Sequence, residues 1–429
     1  MDTPGIKNCI DAITNDPSQA MQLTNKANNM FVVTDGTGFS MTKDNWKPEY
    51  GIVYTEAKSY YYKTCYDIDA YPLVLHHIKC ESAKDIYSLL KNMTTTYVAC
   101  ELYKVSRSKL DPLNEMLLKH PLELVIATDD TRGWINERLK NLNCYEISEN
   151  FVLGVLIRAC MDYYVWGTIS ILMISECLED MAKKFTLQDP GKHREIQKYL
   201  YEKAVEYIKQ NDLNYGNEPI HLTKLMSCAH KEQKKPQKTF MSNLTSDKKM
   251  DEPINRVGGE SVYLHKKHKG MMKTARKFEL FDNRWIDIML SDENIQRLFL
   301  HVKDDPESLE KLSCKKNYCT VVTNGSALLD KSFVGGQAAL PLIESRCLYL
   351  REFTKIDTMP ICFKDFDKFE QSKLLEMMSP TFGAMCLENI KAPDCFFIEN
   401  YLRENAHCPV YHAGQHSASI VVLAALINS

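Results

Sequence analysis

The sequence predicts an α/β fold with two related three-layer α/β/α domains, each on a mainly parallel sheet, joined by a helical segment. Short strands rich in β-branched residues alternate with segments of helical period, an order typical of βαβ units. The same order occurs twice along the 429 residues. A hydrophobic fraction of 44% is that of an ordinary globular protein and is enough for two cores.

The two parts of the chain repeat one another at a nearly constant spacing. The residues Val-Val-Thr-Asp-Gly at 32–36 recur as Val-Val-Thr-Asn-Gly at 321–325, which is 289 positions further on. Glu-Ala-Lys at 56–58 recurs as Glu-Ser-Arg at 344–346, which is 288 positions further on. Because several short matches share one spacing, we expect an internal duplication.

Each copy has the same predicted order of elements. An apolar strand ends at a glycine turn, a helix and a second strand follow, and another helix comes next. The predicted strands are residues 30–33 and 71–75 in the first copy and 318–322 and 359–363 in the second. The predicted second helices are residues 83–93 and 367–378.

Four segments are expected. They are a first domain at 1–147, a helical insert at 148–229, a basic linker or long loop at 230–280 and a second domain at 281–429. Within the insert we predict two helical segments, at 151–185 and 192–209. The very apolar stretch 151–174 carries Arg158 and Asp162, so a buried helix is favoured over a membrane span.

Composition narrows the setting of the protein. The net charge of -3 argues against a nucleic-acid binder. The 15 cysteines form no CxxC pair, and the first residues resemble neither a secretory signal nor a presequence. We therefore expect an intracellular protein in a reducing compartment, cytoplasmic by default, although an organelle is also compatible with the sequence.

The second copy resembles the substrate domain of the short, bacterial-type malic enzymes. Residues 380–393 read PTFGAMCLENIKAP, and residues 409–423 read PVYHAGQHSASIVVL. The corresponding family patterns are PTFGGINLEDIKAP and PVFHDDQHGTAIVVLAAL. The resemblance covers residues 295–429 very specifically. In the first copy, which is more diverged, it covers residues 2–97 and extends only loosely to residue 145.

The resemblance implies a site that removes a proton from malate, transfers a hydride to a nicotinamide and stabilises an enolate with Mg²⁺ or Mn²⁺. In this family a lysine of EGK is the base and the tyrosine of YTPGV is the acid. The metal ligands are the acidic pair of LEDI and an aspartate of HDDQ. In the second copy Arg346 stands at the base position and Ser291 at the acid position. Of the metal ligands Glu388 is kept, whereas Asn389, Ala413 and Gly414 replace the carboxylates.

The first copy departs from the pattern differently. It keeps Lys58 and Asp130, but Asp2 replaces the tyrosine, and the LEDI carboxylates fall near Tyr103 and Lys104. The family's Rossmann domain would begin where the chain reaches Ser429, and Gly258-Gly259 and Gly335-Gly336 lack the dinucleotide fingerprint. We therefore expect relic sites, with neither a metal nor a nicotinamide cofactor.

Other clusters are interpreted as structural. His76, His77 and Cys80, like His221, Cys228 and His230, lack a fourth metal ligand at a recognised spacing. The basic run at 265–277 is expected to be a solvated loop, with contact to an acidic partner as the alternative.

The sequence therefore predicts a malic-enzyme-like pseudoenzyme with a scaffold role in a larger protein assembly. The two copies are expected to pair as a pseudo-dimer. One alternative is a dicarboxylate sensor that uses Arg346 or Lys58, because a guanidinium binds carboxylates in a bidentate manner. For Arg346 a structural ion pair is the competing interpretation. Another alternative is a residual metal-dependent decarboxylase of malate or oxaloacetate.

Overall fold

The structure, a computed structural model, contains two parallel α/β domains. It describes residues 4–39, 47–144, 147–185, 192–213, 267, 274–275, 292–328, 334–364 and 367–429.

The first domain is built on a five-stranded sheet in which all neighbouring strands are parallel. In spatial order its strands are β2 (Asp69–Val74), β1 (Asn29–Thr34), β3 (Ala99–Leu102), β4 (Val125–Thr128) and β5 (Gly167–Thr168). The six residues of β1 and the six of β2 are all buried. Burial on both faces is what a parallel sheet covered by helices requires.

The second domain repeats the arrangement of the first four strands. Its sheet has the order β7 (Asp357–Cys362), β6 (Tyr318–Thr323), β8 (Ala384–Leu387) and β9 (Val410–His412), again all parallel. The register also corresponds, since Leu102 is opposite Thr128 in the first sheet and Leu387 is opposite His412 in the second.

Helices cover both sheets and complete the predicted three-layer α/β/α fold. The first domain contains α1 (Pro4–Asn15), α2 (Ala20–Leu23), α3 (Ile52–Tyr66), α4 (Ala83–Met93), α5 (Arg107–Lys119), α6 (Asp129–Asn141), α7 (Glu149–Asp162), α8 (Ile171–Lys184) and α9 (His193–Gln210). The second contains α10 (Asp292–Asp304), α11 (Leu309–Leu312), α12 (Gly336–Thr354), α13 (Lys368–Met378), α14 (Asp394–Asn405) and α15 (Ala413–Ile427).

One sequence prediction was wrong. The expected helical segment at 151–185 is two helices, α7 and α8, separated by the short strand β5. Tyr164 and Gly167 adopt left-handed φ angles of 51° and 88°, which end α7 and turn the chain into the sheet. The sequence did not predict this fifth strand, because two residues are too few to show a periodic pattern.

The apolar stretch is an internal helix. Residues 152–162 of α7 are all buried, and α7 packs against α3 and α9. Arg158, only 1% exposed, donates to the Asp162 carboxylate at 2.6 Å and to Asn28 Oδ1 at 2.8 Å. Among the described residues, no helix is both long enough and apolar enough to cross a membrane.

The two domains share a buried interface with reciprocal hydrogen bonds. Glu344 Oε1 in the second domain accepts from the Asn25 N–H in the first at 2.7 Å. In the opposite direction, Glu56 Oε2 accepts from the Cys314 N–H at 2.9 Å. The fully buried Glu344 carboxylate therefore contributes to the contact between the domains.

Two threonines make a second reciprocal pair at the ends of β2 and β7. The Thr381 hydroxyl accepts from the Val74 N–H at 2.7 Å and donates to the Val74 carbonyl at 2.9 Å. The Thr96 hydroxyl accepts from the Cys362 N–H at 2.9 Å, and it also lies 3.3 Å from the Cys362 carbonyl. All four residues are fully buried, so these hydroxyls satisfy backbone groups that water does not reach.

We predict that Thr96→Val or Thr381→Val lowers the free energy of unfolding by about 1–3 kcal/mol, because each leaves a buried backbone group unpaired. Urea denaturation of the full chain measures this change. Thr354→Val, at an exposed helix end, is the matched control and is expected to change stability by less than about 0.5 kcal/mol. Equal stability of all three variants would contradict the structural role of the two hydroxyls.

Candidate functional site

The candidate site lies at the carboxyl edge of each sheet, where ligands bind in open α/β folds. In the first domain Tyr103 and Lys104 follow β3, and Asp129 and Asp130 follow β4. Lys104 has a left-handed φ of 55°, and Asn389, which follows β8 by the same number of residues, has a φ of 51°. The two domains therefore share the backbone of this edge while their side chains differ.

Lys58 projects from α3 into the first site and is only 3% exposed. Its ammonium donates to Asn150 Oδ1 at 2.6 Å and pairs with Glu101 Oε1 at 3.3 Å. It also lies 4.7 Å from the ring centroid of Tyr103. Burial and the neighbouring Arg132 lower the pKa of Lys58 to about 8.

Glu101 is the fully buried centre of this cluster. Arg132 Nε lies 3.4 Å from Glu101 Oε1, and the Tyr62 hydroxyl donates to Glu101 Oε2 at 2.8 Å. Burial alone would raise the pKa of Glu101, but the charges of Lys58 and Arg132 outweigh burial and lower it. Arg132 also lies over the Tyr103 ring at 4.9 Å and donates to Asn150.

These contacts determine what the first site can do. An amine with a pKa near 8 has the basicity for proton abstraction, but two hydrogen-bond acceptors and an aromatic ring already surround the Lys58 ammonium. The aspartates after β4 are also engaged. Asp129 Oδ2 accepts from the Lys104 N–H at 2.5 Å, and Asp130 lies 3.5 Å from Arg107.

The second site is built from Arg346 on α12 and from Glu388 and Asn389 after β8. Arg346 Nε lies 3.9 Å from Glu388 Oε1, so the retained carboxylate faces a guanidinium. The Asn389 side-chain NH₂ is buried and has no hydrogen-bond partner among the residues that the structure describes. Glu344 is on the same helix but bonds across the domain interface instead. Ala413 and Gly414, which begin α15, offer no ligand atoms on their side chains.

The chemistry of these side chains does not suit a hard divalent cation, which requires several anionic or neutral oxygens. In the second site the neighbour of the Glu388 carboxylate is Arg346. In the first site the cations Lys58 and Arg132 flank the buried carboxylate of Glu101, and Lys109 pairs with the buried Asp35. Within the part of the chain that the structure describes, no group of three His, Cys, Asp or Glu side chains could hold a metal.

The other sequence candidates have different outcomes. His76 stacks on His77, with ring centroids 5.7 Å apart, and contacts His407 of the second domain at 4.6 Å. Gly335 has a φ of 80°, and a Cβ on Gly336 would lie 2.1 Å from the Phe363 carbonyl, so this pair makes a tight turn against β7. The remaining candidates lie outside the described residues and include Asp2, Ser291, His221, Cys228, His230 and Gly258-Gly259.

The sequence reasoning missed Glu101, Arg132, Asn150 and Tyr62. Glu101 had a signal: a carboxylate between apolar neighbours in a short strand is expected to be buried and therefore paired. Its partners gave no local signal, because they come from α3, α6 and α7.

The amino-acid sequence of the chain is similar in part to those of known malic enzymes. No family model matches the chain. Over 170 residues the chain is 31% identical to the bifunctional malic/malolactic enzyme of Bacillus subtilis, which covers 40% of the chain and 41% of that enzyme. It is 36% identical to the NAD-dependent malic enzyme of Geobacillus stearothermophilus over 135 residues, or 32% of the chain and 28% of that enzyme.

A solved structure of the NAD-dependent malic enzyme from Thermotoga maritima has 30% sequence identity and a TM-score of 0.37. That comparison covers 39% of this chain and 47% of the other. The chain thus spans less than half the length of the curated relatives it matches. Across about two fifths of its residues, the chain is similar in sequence to malic enzymes.

Proposed function

We propose that this chain is a malic-enzyme-like pseudoenzyme, made of two diverged copies of the substrate domain, with a structural role in a larger protein assembly. The observation that carries the proposal is the buried cluster around Glu101. It uses Lys58, the retained counterpart of the family base, as a partner in a structural ion pair.

The proposal of two copies is supported by sequence and structure together. The repeats at spacings of 288 and 289 residues fall on β1 and β6 and on α3 and α12. Four strands of each sheet have the same order. Left-handed backbone occurs at Asp67 and Lys355, again 288 residues apart.

The two copies are proposed to form an intramolecular pseudo-dimer. A two-fold interface is reciprocal, and the bonds made by Glu344 and Glu56 and by Thr96 and Thr381 have that property. Asp85 and Lys373, which are 288 residues apart, bond to each other at 2.8 Å. In a dimer of identical chains, the same residue from each subunit would lie at this position, and two like charges would repel. The tandem chain places opposite charges there.

The absence of malate oxidation is proposed from the residues that occupy the base and metal positions. A guanidinium cannot serve as a general base in a protein, so Arg346 does not supply one for malate oxidation. Its contact with Glu388 uses the remaining carboxylate of the second site. We therefore propose that neither site retains Mg²⁺ or Mn²⁺ or uses a nicotinamide.

If the first site has a structural role, removal of the Glu101 charge should lower stability much more than removal of the Lys58 charge. Glu101→Gln removes the buried carboxylate that Lys58 and Arg132 share, so Arg132 keeps only its longer contacts with Asp129 and Glu149. This variant is expected to lower the free energy of unfolding by about 3–5 kcal/mol. Lys58→Met leaves Glu101 paired with Arg132 and Tyr62, so its effect is expected to stay within about 1 kcal/mol. Chemical denaturation at neutral pH measures both changes.

The pH dependence of the free energy of unfolding gives a second test of the role of Lys58. The pKa of Lys58 is about 8 in the folded protein and 10.5 as the ordinary value, so the unfolded chain binds more protons between these limits. The Lys58 contribution to stability therefore increases with pH across this window, and Lys58→Met should lack that increase. Greater destabilisation by Lys58→Met than by Glu101→Gln would count against a structural Glu101 cluster.

The assembly role is supported by helix α15. It has no buried residue, and its apolar side chains are exposed, among them Ile420, Val421, Val422, Leu423, Leu426 and Ile427. Residues 413–427 carry no Asp, Glu, Lys or Arg. A helix that is apolar around its circumference is normally buried, so we propose that a partner protein encloses α15 in an apolar groove.

We predict that Val421→Asp or Leu423→Asp releases the chain from this assembly, because burying an unpaired carboxylate in an apolar groove is unfavourable. Gel filtration of native extracts measures the apparent mass of the complex. Thr354→Asp, at the exposed end of α12, is the control for added charge, and circular dichroism verifies folding. If both apolar variants elute with the wild type, or the wild type elutes as a single chain, α15 is not the assembly surface.

A further inference from the structure

Lys26 lies at the opposite edge of the first sheet from the candidate site. It belongs to the 3-10 turn Asn25–Asn28, directly before β1, and is only 3% exposed. In the part of the chain that the structure describes, its ammonium has no hydrogen-bond or ion-pair partner. Lysines are seldom buried without a partner, so this donor group indicates a ligand.

A small cavity of about 40 Å³ adjoins Lys26 at the amino ends of β3, β4 and β5. Its apolar walls come from Met21, Val98, Val125, Met161 and Val165, and Trp166 also lines it. The exposed residue Glu123 and the half-buried Tyr164 complete the lining. This volume has room for roughly three water molecules, or for a molecule with a few heavy atoms. The cavity therefore combines the buried Lys26 ammonium with mainly apolar walls, and Glu123 is the carboxylate in its lining.

The second domain provides an internal comparison. Lys315, like Lys26, occurs three residues before the first strand of its sheet. Its ammonium donates to the Pro380 carbonyl at 2.6 Å and lies 3.4 Å from the Phe382 carbonyl. The protein itself thus satisfies Lys315, whereas Lys26 retains its donors for a molecule in the cavity.

We infer that this cavity binds a small organic anion, a short-chain monocarboxylate, with its carboxylate on the Lys26 ammonium and its alkyl group against Met21, Val98 and Val165. A carboxylate accepts charge-assisted hydrogen bonds from an ammonium. The short alkyl group matches the apolar walls and the small volume. This site is separate from the Glu101 cluster, and the inference does not depend on the proposed function.

The charges near Lys26 determine the pH range of binding. Burial lowers the pKa of Lys26, Glu123 raises it and Lys364 lowers it, and together these effects bring the pKa to about 8. Lys26 is therefore mainly protonated at pH 7 and neutral well above pH 8. Binding of the anion is expected at neutral pH and is expected to be lost at alkaline pH.

The experiment uses the full chain and titrates sodium acetate or sodium propionate at pH 7, with sodium chloride at matched ionic strength. Thermal unfolding of the wild type is expected to move to higher temperature with either carboxylate and not with chloride. Lys26→Met is expected to lose this shift and to unfold at a higher temperature without ligand, because an unpaired buried charge is removed. Calorimetric titration should show affinity at least roughly tenfold weaker in this variant.

Lys315→Met is the matched control. It is expected to lower stability, because two carbonyls lose their donor, and to keep the carboxylate-dependent shift. Val165→Phe fills the cavity while Lys26 remains, so it should abolish the shift even if Lys26→Met does not fold. An equal shift in Lys26→Met or in Val165→Phe would overturn the inference. A wild type that responds to carboxylate and chloride alike would also overturn it.

Discussion

A carboxylate buried at the centre of a parallel sheet determines the character of the first domain. Glu101 lies in β3, between β1 and β4, where water does not reach it. An uncompensated charge in such a position would be strongly destabilising, so the fold supplies Lys58, Arg132 and Tyr62 around it. These partners lie at the edge of the sheet where the chemistry of this fold would take place. Lys58, Arg132 and Tyr62 stabilise the first domain by contacting Glu101. A metal site at the same edge would instead need carboxylates that are free to bind a cation.

The second domain has fewer charged side chains at the corresponding edge of its sheet. Arg346 and Glu388 lie closer to the surface than the Glu101 cluster, and their 3.9 Å separation is longer. The backbone of the two edges nevertheless agrees, since Lys104 and Asn389 share the left-handed conformation. The two domains thus differ in the side chains at this edge, whereas their sheets share one strand order over four strands.

Much of the fold could be predicted from the sequence because it is encoded locally. The strand at 318–322 lies within β6, and the helix predicted at 83–93 coincides with α4, which a capping box at Ser82 and Asp85 begins. The two-residue strand β5 was missed, because its position depends on pairing with β4 and not on a local pattern.

The site was predictable only in part. The sequence identified Lys58, Arg346 and Glu388. A structural ion pair was one interpretation of Arg346, and in the structure its guanidinium lies 3.9 Å from Glu388. It did not identify Glu101 and Arg132, because they meet Lys58 through tertiary packing of separate elements. The buried, partnerless Lys26 was also missed, since one lysine among 53 basic residues gives no sequence signal.

The most direct test of a non-catalytic, structurally paired site is a turnover assay of the purified full chain with malate, Mn²⁺ and either NAD⁺ or NADP⁺. We expect no formation of pyruvate or reduced nicotinamide above a reaction without protein, with the malic/malolactic enzyme of Bacillus subtilis as the positive control. Mn²⁺-dependent pyruvate formation that disappears in Lys58→Met would contradict it.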